Sequence, residues 1–87
     1  MADPWKVVQY PLLVEKTISM IEKENKLVFI VRRGSSKKQI KWSIEKLLEV
    51  KIENINTLID RKGRKKAIVK LAKEFSATDI ATRFGML

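Results

Sequence analysis

The side chains with the clearest chemical potential in this sequence are its cations, which cluster in two short segments. Over 87 residues, 19 lysines and arginines against 10 acids give a net charge of +9. The first basic segment holds Arg32, Arg33, Lys37, Lys38 and Lys41, and the second holds Arg61, Lys62, Arg64, Lys65 and Lys66. One charge run is most often a solvated face, but two runs that flank the same helix and strand favour a polyanionic partner such as a nucleic acid.

Catalytic and metal-binding chemistry has little support in the sequence. There is no histidine and no cysteine, so the commonest general base and the thiolate ligand are both missing. Glu45 and Glu49 lie one turn apart on a predicted helix, but Lys46 accompanies them on its outward side, which is typical of a solvated surface. The three glycines are too widely separated to form a phosphate-binding loop. We therefore expect no enzymatic activity, no cofactor and no metal site.

Length and hydropathy predict a single domain over residues 1–87. A hydrophobic content of 45% is ordinary for a folded chain, and 87 residues are too few for two independent cores. The longest apolar run, residues 27–31, is far too short to span a bilayer. Because the N-terminal segment shows no charged-then-apolar signal pattern, we expect a cytoplasmic protein with no membrane partner.

An amphipathic helix that leads directly into a strand lies between the two basic segments. Four apolar residues repeat at helical spacing and form its expected core face, namely Ile40, Ile44, Leu47 and Leu48. Ser36 and Gln39 have the spacing of a capping box, which marks the start of this helix. The apolar period then falls to two, which predicts a strand. The phase slips between Ile52 and Ile55, so we expect a bulge there or a strand that begins near Asn54.

The elements before this unit alternate in the same way. Residues 1–11 are predicted to be extended, either as a short edge strand or as an arm packed on the domain. Residues 14–24 are predicted to form a helix with Ile18 and Ile21 facing the core. Residues 26–33 form a predicted strand whose two faces are both apolar, which indicates layers above and below the sheet.

The C-terminal third is predicted to contain a hairpin and a short helix. The hairpin loop covers residues 61–64, where Gly63 can adopt a positive φ, and the strand after it covers residues 65–72. Ser76 is the expected N-cap of the last helix. Its buried stripe is predicted to consist of Ile80, Ala81 and Phe84. Together these elements predict an α+β fold, with helices packed on a small, mainly antiparallel sheet of three to four strands.

Three further side chains could contact RNA, although each also has a plain structural explanation. Trp42 lies opposite Ile40 on the predicted helix, where it either covers a neighbouring element or stacks against RNA. Asn54 and Asn56 either bond to nearby backbone or contact base edges and sugars at the exposed face of the sheet. An RNA-recognition-motif domain is excluded, because Lys62-Gly63 is followed by Arg64-Lys65-Lys66-Ala67 with no Phe or Tyr to stack bases, and because the order of elements differs.

Four stretches carry a further pattern that extends over nearly the whole chain. They are Tyr10-Pro11-Leu12-Leu13-Val14-Glu15-Lys16, the KLVFIV of residues 26–31, the helix and strand of residues 37–58, and residues 65–71 followed by Glu74-Phe75-Ser76-Ala77. In this order they resemble the large-subunit ribosomal protein family numbered twenty-three. The helix that continues into Ile55-Asn56-Thr57-Leu58 is the most specific of the four.

The resemblance implies a cytoplasmic ribosomal protein that binds large-subunit ribosomal RNA beside the polypeptide exit tunnel, next to other ribosomal proteins. It also implies a docking site for signal recognition particle or nascent-chain chaperones, with Glu15 as the docking carboxylate. Val14 departs from the family's usual Ser or Thr before that glutamate, and it cannot cap a helix. The short loop at residues 60–65 lacks the long hairpin of bacterial members, which points to an archaeal protein. A free-standing RNA- or DNA-binding module outside the ribosome is the alternative, with an enzyme a distant third.

Overall fold

Helices and strands alternate along the chain much as the apolar spacing predicts. The computed structural model describes residues 3–86. In chain order the elements are α1 (Pro4–Val7), β1 (Val8–Pro11), α2 (Glu15–Glu24), β2 (Lys26–Val31), α3 (Lys37–Leu48), β3 (Ile52–Ile59), β4 (Lys65–Leu71) and α4 (Ala77–Arg83). The predicted α+β fold with helices on a small antiparallel sheet is confirmed.

The four strands form one antiparallel sheet in the order β1-β2-β4-β3. The central strands β2 and β4 pair from Lys26, opposite Lys70, to Val31, opposite Lys65. β3 follows β4 along one edge, and the short strand β1 forms the other edge. Since β2 ends where β4 begins, the turn after β2 and the β3–β4 loop lie at the same end of the sheet.

The main core lies between one face of this sheet and the helices α1, α3 and α4. Alternate residues of the central strands point into it, namely Leu27, Phe29, Val31, Ala67, Val69 and Leu71. They form one hydrophobic cluster with residues of the helices, which include Val7, Ile40, Ile44, Leu48, Ile80 and Ala81. Burial of these side chains is the main source of the stability of the domain.

β2 is buried on both faces, as its double apolar pattern predicts. Val28 and Ile30 project away from the main core, on what we call the outer face of the sheet, yet they are only 5% and 2% exposed. α2 packs against β2. Lys16 and Met20 of α2 line a groove with Ile68, which pairs with Val28 and shares its face of the sheet. α2 therefore covers the β2 side of the outer face.

α3 begins as predicted but buries one residue less than expected. The Gln39 N–H donates to Ser36 Oγ at 3.2 Å, and the Ser36 N–H donates to the Gln39 side chain at 2.9 Å, so the capping box is confirmed. Ile44 is buried, whereas Leu47 is only half-buried at the rim of an apolar groove. Leu47 lies about 60° around the helix from Ile44, which carries it to the edge of the buried stripe.

β3 begins at Ile52, and the register shift between Ile52 and Asn54 confirms the predicted bulge. Glu49 adopts a left-handed conformation, with φ 55°, and turns the chain back alongside α3. The turn brings the Ile52 N–H to Glu45 Oε2, which accepts its hydrogen bond at 3.0 Å. The expectation that Glu45 is a solvated surface residue is therefore wrong, because it is half-buried and satisfies the first N–H of the strand.

The N-terminal segment contains a helical turn, α1, where an extended chain is predicted. Residues 1 and 2 lie outside the described part of the chain. Asp3 Oδ1 accepts the Trp5 N–H at 3.0 Å, and Pro4 takes the first helical position. An aspartate followed by proline is a strong signal for a helix start, and it outweighs the extended pattern of the residues that follow. α1 packs against α3, and β1 then forms the expected edge strand.

α2 is confirmed to within one residue, although its N-cap has no side-chain acceptor. Thr17, in the first turn, bonds instead to the backbone of the N-cap residue, because its Oγ1 accepts the Val14 N–H at 2.9 Å. The same hydroxyl donates to Leu12 O at 2.6 Å. Ile21 is buried as predicted, whereas Ile18 is only half-buried, since Thr17 and Ile21 form the inward row.

Asn25 ends α2 in the left-handed conformation, with φ 57°. Its side chain also joins segments that are distant in sequence. Asn25 Nδ2 donates to Phe75 O at 2.9 Å, and Asn25 Oδ1 accepts the Ala77 N–H at 2.6 Å. Its carbonyl accepts the Leu71 N–H at 3.1 Å. One residue thus holds the end of α2, the end of β4 and the start of α4 together.

α4 is capped as predicted, but its buried stripe is shorter than expected. Ser76 Oγ accepts the Asp79 N–H at 3.2 Å, and two of the three predicted inward residues are buried. The expectation that Phe84 is buried is wrong, because its side chain is 44% exposed. The helix ends at Arg83, and Gly85 turns the chain at φ 73°, so the helical stripe does not continue. The Arg83 guanidinium lies 4.9 Å from the centre of the Phe84 ring.

Candidate nucleic-acid interface

The two basic segments meet at the end of the sheet where β2 ends and β4 begins, which we call the basic end. Val31 pairs with Lys65, so the turn after β2 lies directly beside the start of β4. A guanidinium nitrogen of Arg33 lies 3.9 Å from the position that a Cβ on Gly63 would occupy. Segments that are about thirty residues apart in the sequence therefore form one continuous surface.

Every cation of the first basic segment is exposed. Arg32 and Arg33 follow β2 directly, and three lysines lie in the first two turns of α3, namely Lys37, Lys38 and Lys41. Because the N-terminus of a helix carries a partial positive charge, α3 adds to the potential of this surface. The arrangement is one that attracts phosphate groups.

The β3–β4 loop of the second segment is built around Asp60, which was not singled out from the sequence. Asp60 Oδ1 accepts the backbone N–H groups of Lys62 and Arg64, each at 2.9 Å. Asp60 Oδ2 accepts the Arg64 Nε–H at 2.8 Å. Gly63 completes the turn at φ 80°, as predicted. An aspartate that bonds to backbone two residues ahead is a common turn signal, and here it could have indicated the loop conformation.

The Asp60 carboxylate is held in its charged form at this loop. Partial burial acts to raise the pKa of Asp60, but hydrogen bonds from the backbone and guanidinium of Arg64, together with its positive charge, outweigh burial and lower the pKa. The pKa of Arg64 is raised by its hydrogen bonds, to the Tyr10 hydroxyl at 3.5 Å and to Asp60. Arg64 is thus paired inside the protein, and the pair adds no net charge to the surface.

Lys65 likewise makes its contacts within the protein. Its Nζ donates to Ser35 O at 2.6 Å and lies 3.5 Å from Arg33 O. Ser35 is only 4% exposed, so its carbonyl needs a donor from the protein. The ammonium group therefore bridges from the start of β4 to the turn after β2.

The other cations of the second segment face solvent to different degrees. Arg61 and Lys62 are exposed at the tip of the β3–β4 loop. Lys66 is half-buried on the outer face, where it pairs with Ile30 across the β2–β4 ladder. These three side chains extend the basic surface from the loop onto the outer face of the sheet.

The uncharged candidates lie in two places, one on α3 and two on β3. Trp42 is half-buried on α3, one turn from a lysine on either side. Asn54 and Asn56 are exposed on the outer face of β3, and Asn56 pairs with Ile68 near the middle of the sheet. Asn54 Oδ1 accepts the Ile55 N–H at 2.9 Å, which is the backbone bonding considered as its structural role. The structure therefore places Trp42 beside lysines of the first basic segment, and it does not bring Asn54 and Asn56 together with either segment.

Glu15 is exposed at the first position of α2. It lines the surface groove between α2 and the outer face of the sheet, together with Met20 and Ile68. Glu15 belongs to neither basic segment. Ile68 is two residues from Lys66 and pairs with Asn56, so the predicted docking carboxylate lies on the same face of the sheet as some of the predicted RNA-binding residues.

An apolar surface groove that the sequence pattern does not predict lies between α1, β1, α3 and the C-terminal turn. Three exposed aromatic residues line it, namely Trp5, Tyr10 and Phe84, with exposed fractions of 70%, 41% and 44%. Leu47 and Met86 complete the apolar wall. The only available signal was the Asp-Pro helix start, which places Trp5 on a helical turn instead of a strand.

Two other kinds of site are absent from the part of the chain that the structure describes. Within residues 3–86, no three His, Cys, Asp or Glu residues are grouped so as to hold a metal ion. None of the helices in the same range is long and apolar enough to cross a membrane. Acids instead meet single cations at the surface, as Glu24 does with Lys26 at 3.2 Å.

Comparison with known proteins assigns this fold and surface to a family. The family model for ribosomal protein L23 matches residues 6–64. The chain is 43% identical, over 84 residues, to large ribosomal subunit protein uL23 of Methanothermobacter thermautotrophicus, with 97% of this chain and 98% of the relative covered. It is 52% identical, over 80 residues, to the protein of the same name from Thermoplasma acidophilum, with 92% and 94% covered. The chain therefore belongs to the ribosomal protein L23 family and is of the archaeal type.

Proposed function

We propose that this protein is a structural, non-enzymatic constituent of the large subunit of the cytoplasmic ribosome, and that it binds large-subunit ribosomal RNA through its basic end. The observation that carries the proposal is the convergence of the two basic segments on one end of the sheet. It is supported by the name that both archaeal relatives share, large ribosomal subunit protein uL23. The cations that we propose face the RNA are Arg32, Arg33, Lys37, Lys38, Lys41, Arg61, Lys62 and Lys66.

In this proposal the basic end binds phosphates and fixes the orientation of the protein on the RNA. Cations on two adjacent loops can neutralise phosphates that are distant in the RNA sequence, which suits a folded RNA better than a single strand. Trp42 would add a stacking contact beside the lysines of α3. Asn54 and Asn56 would contact base edges or sugars where the outer face is exposed.

The second part of the proposal concerns protein partners at the polypeptide exit tunnel. Glu15 is exposed and lies outside the two basic segments, so RNA bound to those segments would leave the carboxylate accessible to signal recognition particle or a nascent-chain chaperone. Such a charge contact mainly raises the association rate and the specificity. The groove lined by Trp5, Tyr10 and Phe84 would contact neighbouring ribosomal proteins, because clustered exposed aromatic residues are typical of protein interfaces.

Filter binding to protein-free ribosomal RNA tests the first part. The protein should prefer large-subunit over small-subunit RNA from an archaeon. If roughly six cations neutralise phosphates, the logarithm of the association constant should fall with the logarithm of salt concentration at a slope of about −4 to −5. A salt-independent affinity, or equal affinity for the two RNAs, would contradict the proposal.

Co-sedimentation distinguishes a ribosomal protein from a free-standing nucleic-acid-binding module. Tagged protein in archaeal extracts should sediment with large subunits in sucrose gradients, at salt concentrations that remove nonspecifically bound proteins. Sedimentation near the top of the gradient, with RNA binding retained in vitro, would favour the free-standing module.

A further inference from the structure

We propose that Lys65 is a positioning residue that joins the two basic segments into one rigid surface, although its charge lies within a phosphate-binding segment. The inference rests on the proposed RNA binding, and it adds a role for a residue that charge alone would count as a phosphate ligand. The Lys65 ammonium group donates to Ser35 O at 2.6 Å and lies 3.5 Å from Arg33 O. It thus contacts the first basic segment directly.

The strand register explains why this lysine points inward. Lys65 is the first residue of β4, on the same side of the strand as Ala67 and Val69, which are fully buried. Its partner across the ladder, Val31, is also buried. The aliphatic part of the Lys65 side chain therefore extends over the edge of the core, and its ammonium group reaches the turn beyond β2.

The acceptor strengthens the case for a structural contact. Ser35 lies in the turn before α3 and is 4% exposed, so water has little access to its carbonyl. Buried carbonyl groups nearly always have a hydrogen-bond partner. A hydrogen bond from a charged donor is roughly twice as strong as one between neutral groups, so this bond fixes the Lys65 ammonium group on the turn before α3.

Arg64, the residue before Lys65, also uses its charge in a contact within the protein. Arg64 bonds to Asp60 at 2.8 Å, and the Asp60 side chain is only 10% exposed, so this pair stabilises the loop. Two adjacent cations of the second segment therefore bond inside the protein. Three remain directed outward, namely Arg61, Lys62 and Lys66. The Lys65 bridge holds these three at a set distance from the first basic segment.

A rigid surface binds RNA with less loss of conformational freedom than two independent loops. Without the Lys65 bridge, the turn at residues 32–36 would be less firmly held against the loop at residues 60–64, and the RNA would have to fix the position of one relative to the other. Preorganisation of this kind raises affinity without adding a contact. It therefore predicts a signature that differs from the loss of a phosphate ligand.

The test compares Lys65→Met with Lys62→Met, which removes the same charge from an exposed position in the same segment. The full-length proteins are titrated with protein-free archaeal large-subunit RNA over a series of salt concentrations. For Lys62→Met, loss of one phosphate contact should make the salt slope shallower by about 0.7–0.9. For Lys65→Met, the slope should stay that of the wild type, while affinity falls about fivefold at every salt concentration because the loops are less ordered.

Two further measurements separate positioning from general destabilisation. In the RNA-free protein, NMR order parameters of the turn at residues 33–36 should fall in Lys65→Met and stay unchanged in Lys62→Met. Lys65→Arg keeps a charged donor within reach of Ser35 O and should restore most of the affinity. All binding is measured well below the melting temperature of each variant, so that an unfolded fraction does not mimic weak binding.

The outcomes are distinct. A salt slope that falls by the same amount in both methionine variants would show that Lys65 is a phosphate ligand and would overturn the inference. Unchanged affinity and unchanged order parameters in Lys65→Met would overturn it as well. Failure of the wild type to bind large-subunit RNA would instead overturn the proposed function, and the wild-type titration alone reports that result.

Discussion

The two ends of the central β2–β4 pair have the same task and perform it with different chemistry. The two ends lie about 17 Å apart along the strands, and at each end the segments that leave the sheet must be joined to one another. At one end, the neutral amide of Asn25 joins the ends of α2 and β4 to the start of α4. At the basic end, Lys65 does so with its charged ammonium group, which bonds to Ser35 O, while Asp60 organises the β3–β4 loop by bonding to three donors of that loop.

The difference follows from what surrounds each joint. Near Asn25, acids and bases are paired, as in Lys26 with Glu24 and Lys70 with Glu53, so no net charge accumulates. At the basic end, exposed cations are concentrated and Asp60 is turned inward. The contacts made by Lys65 and Asp60 lie at the end of the sheet that we propose contacts RNA. They organise the loops there, while the exposed cations of the basic end stay available to phosphates. Neutral and charged joints should therefore respond differently to salt, pH and mutation.

The largest expected effect is on the neutral joint. Asn25→Ala removes the hydrogen bonds to Phe75 and Ala77. It also leaves a residue with a Cβ in the left-handed conformation, at φ 57°, without the side-chain bonds that compensate for the strain. We expect a loss of about 2–4 kcal/mol in the free energy of unfolding. Asn25→Gly is the control, because glycine tolerates the left-handed conformation and isolates the hydrogen bonds. Denaturant unfolding measures the free energy of unfolding of both variants. A loss below about 0.5 kcal/mol in each would show that the Asn25 side chain does not hold these segments together.

The next effect concerns RNA binding close to the basic end. If Trp42 stacks against RNA, Trp42→Ala should cost about 1–3 kcal/mol of binding free energy and leave the salt slope unchanged. If it covers its own domain instead, the melting temperature should fall and affinity should stay nearly intact. Trp42→Phe keeps an aromatic face and serves as the control. Melting and RNA titration of the same variants decide between the two roles.

The charged loop should be sensitive to pH where the neutral joint is not. The pKa of Asp60 is lowered in the folded protein, so its contribution to stability is present above the unfolded pKa of about 3.9 and is lost as the pH falls through the folded pKa. Wild type should therefore exceed Asp60→Asn in melting temperature at neutral pH, and the difference should shrink below about pH 4. The deficit of Asn25→Ala should remain constant over the same range. A pH-independent difference for Asp60→Asn would show that its charge is unimportant.

The smallest effect lies away from both joints. Glu15 is exposed at the positive end of the α2 dipole, so Glu15→Lys should lower the free energy of unfolding by only about 0.3–1 kcal/mol. Incorporation into large subunits should persist, while binding of signal recognition particle or a chaperone to purified ribosomes should weaken at low salt. Glu15→Gln, which removes the charge without reversing it, should show an intermediate loss. Failed incorporation, or unchanged factor affinity, would contradict the docking role.

Local signals in the sequence determined most of the elements and the charge distribution. Some features depend only on neighbouring residues, so the local sequence is enough to predict them. Examples are the capping box at Ser36 and Gln39, the end of α2 at Asn25 and the alternation in β4. The bulge near Ile52 was readable for the same reason, because a slip in apolar phase is itself a local pattern. The two basic segments are visible in the order of the residues, and they indicate a polyanionic partner before the fold is known.

Only the tertiary structure decided which side chains of those segments face outward. Whether Lys65 meets Ser35 or solvent depends on the pairing of β2 with β4, which brings together residues about thirty positions apart. The same holds for Glu45, which bonds to Ile52 only because the chain reverses after α3. Phe84 is exposed because α4 ends before it. Periodicity describes the face of a single helix or strand, whereas the partner of each side chain is set by how the elements pack against one another.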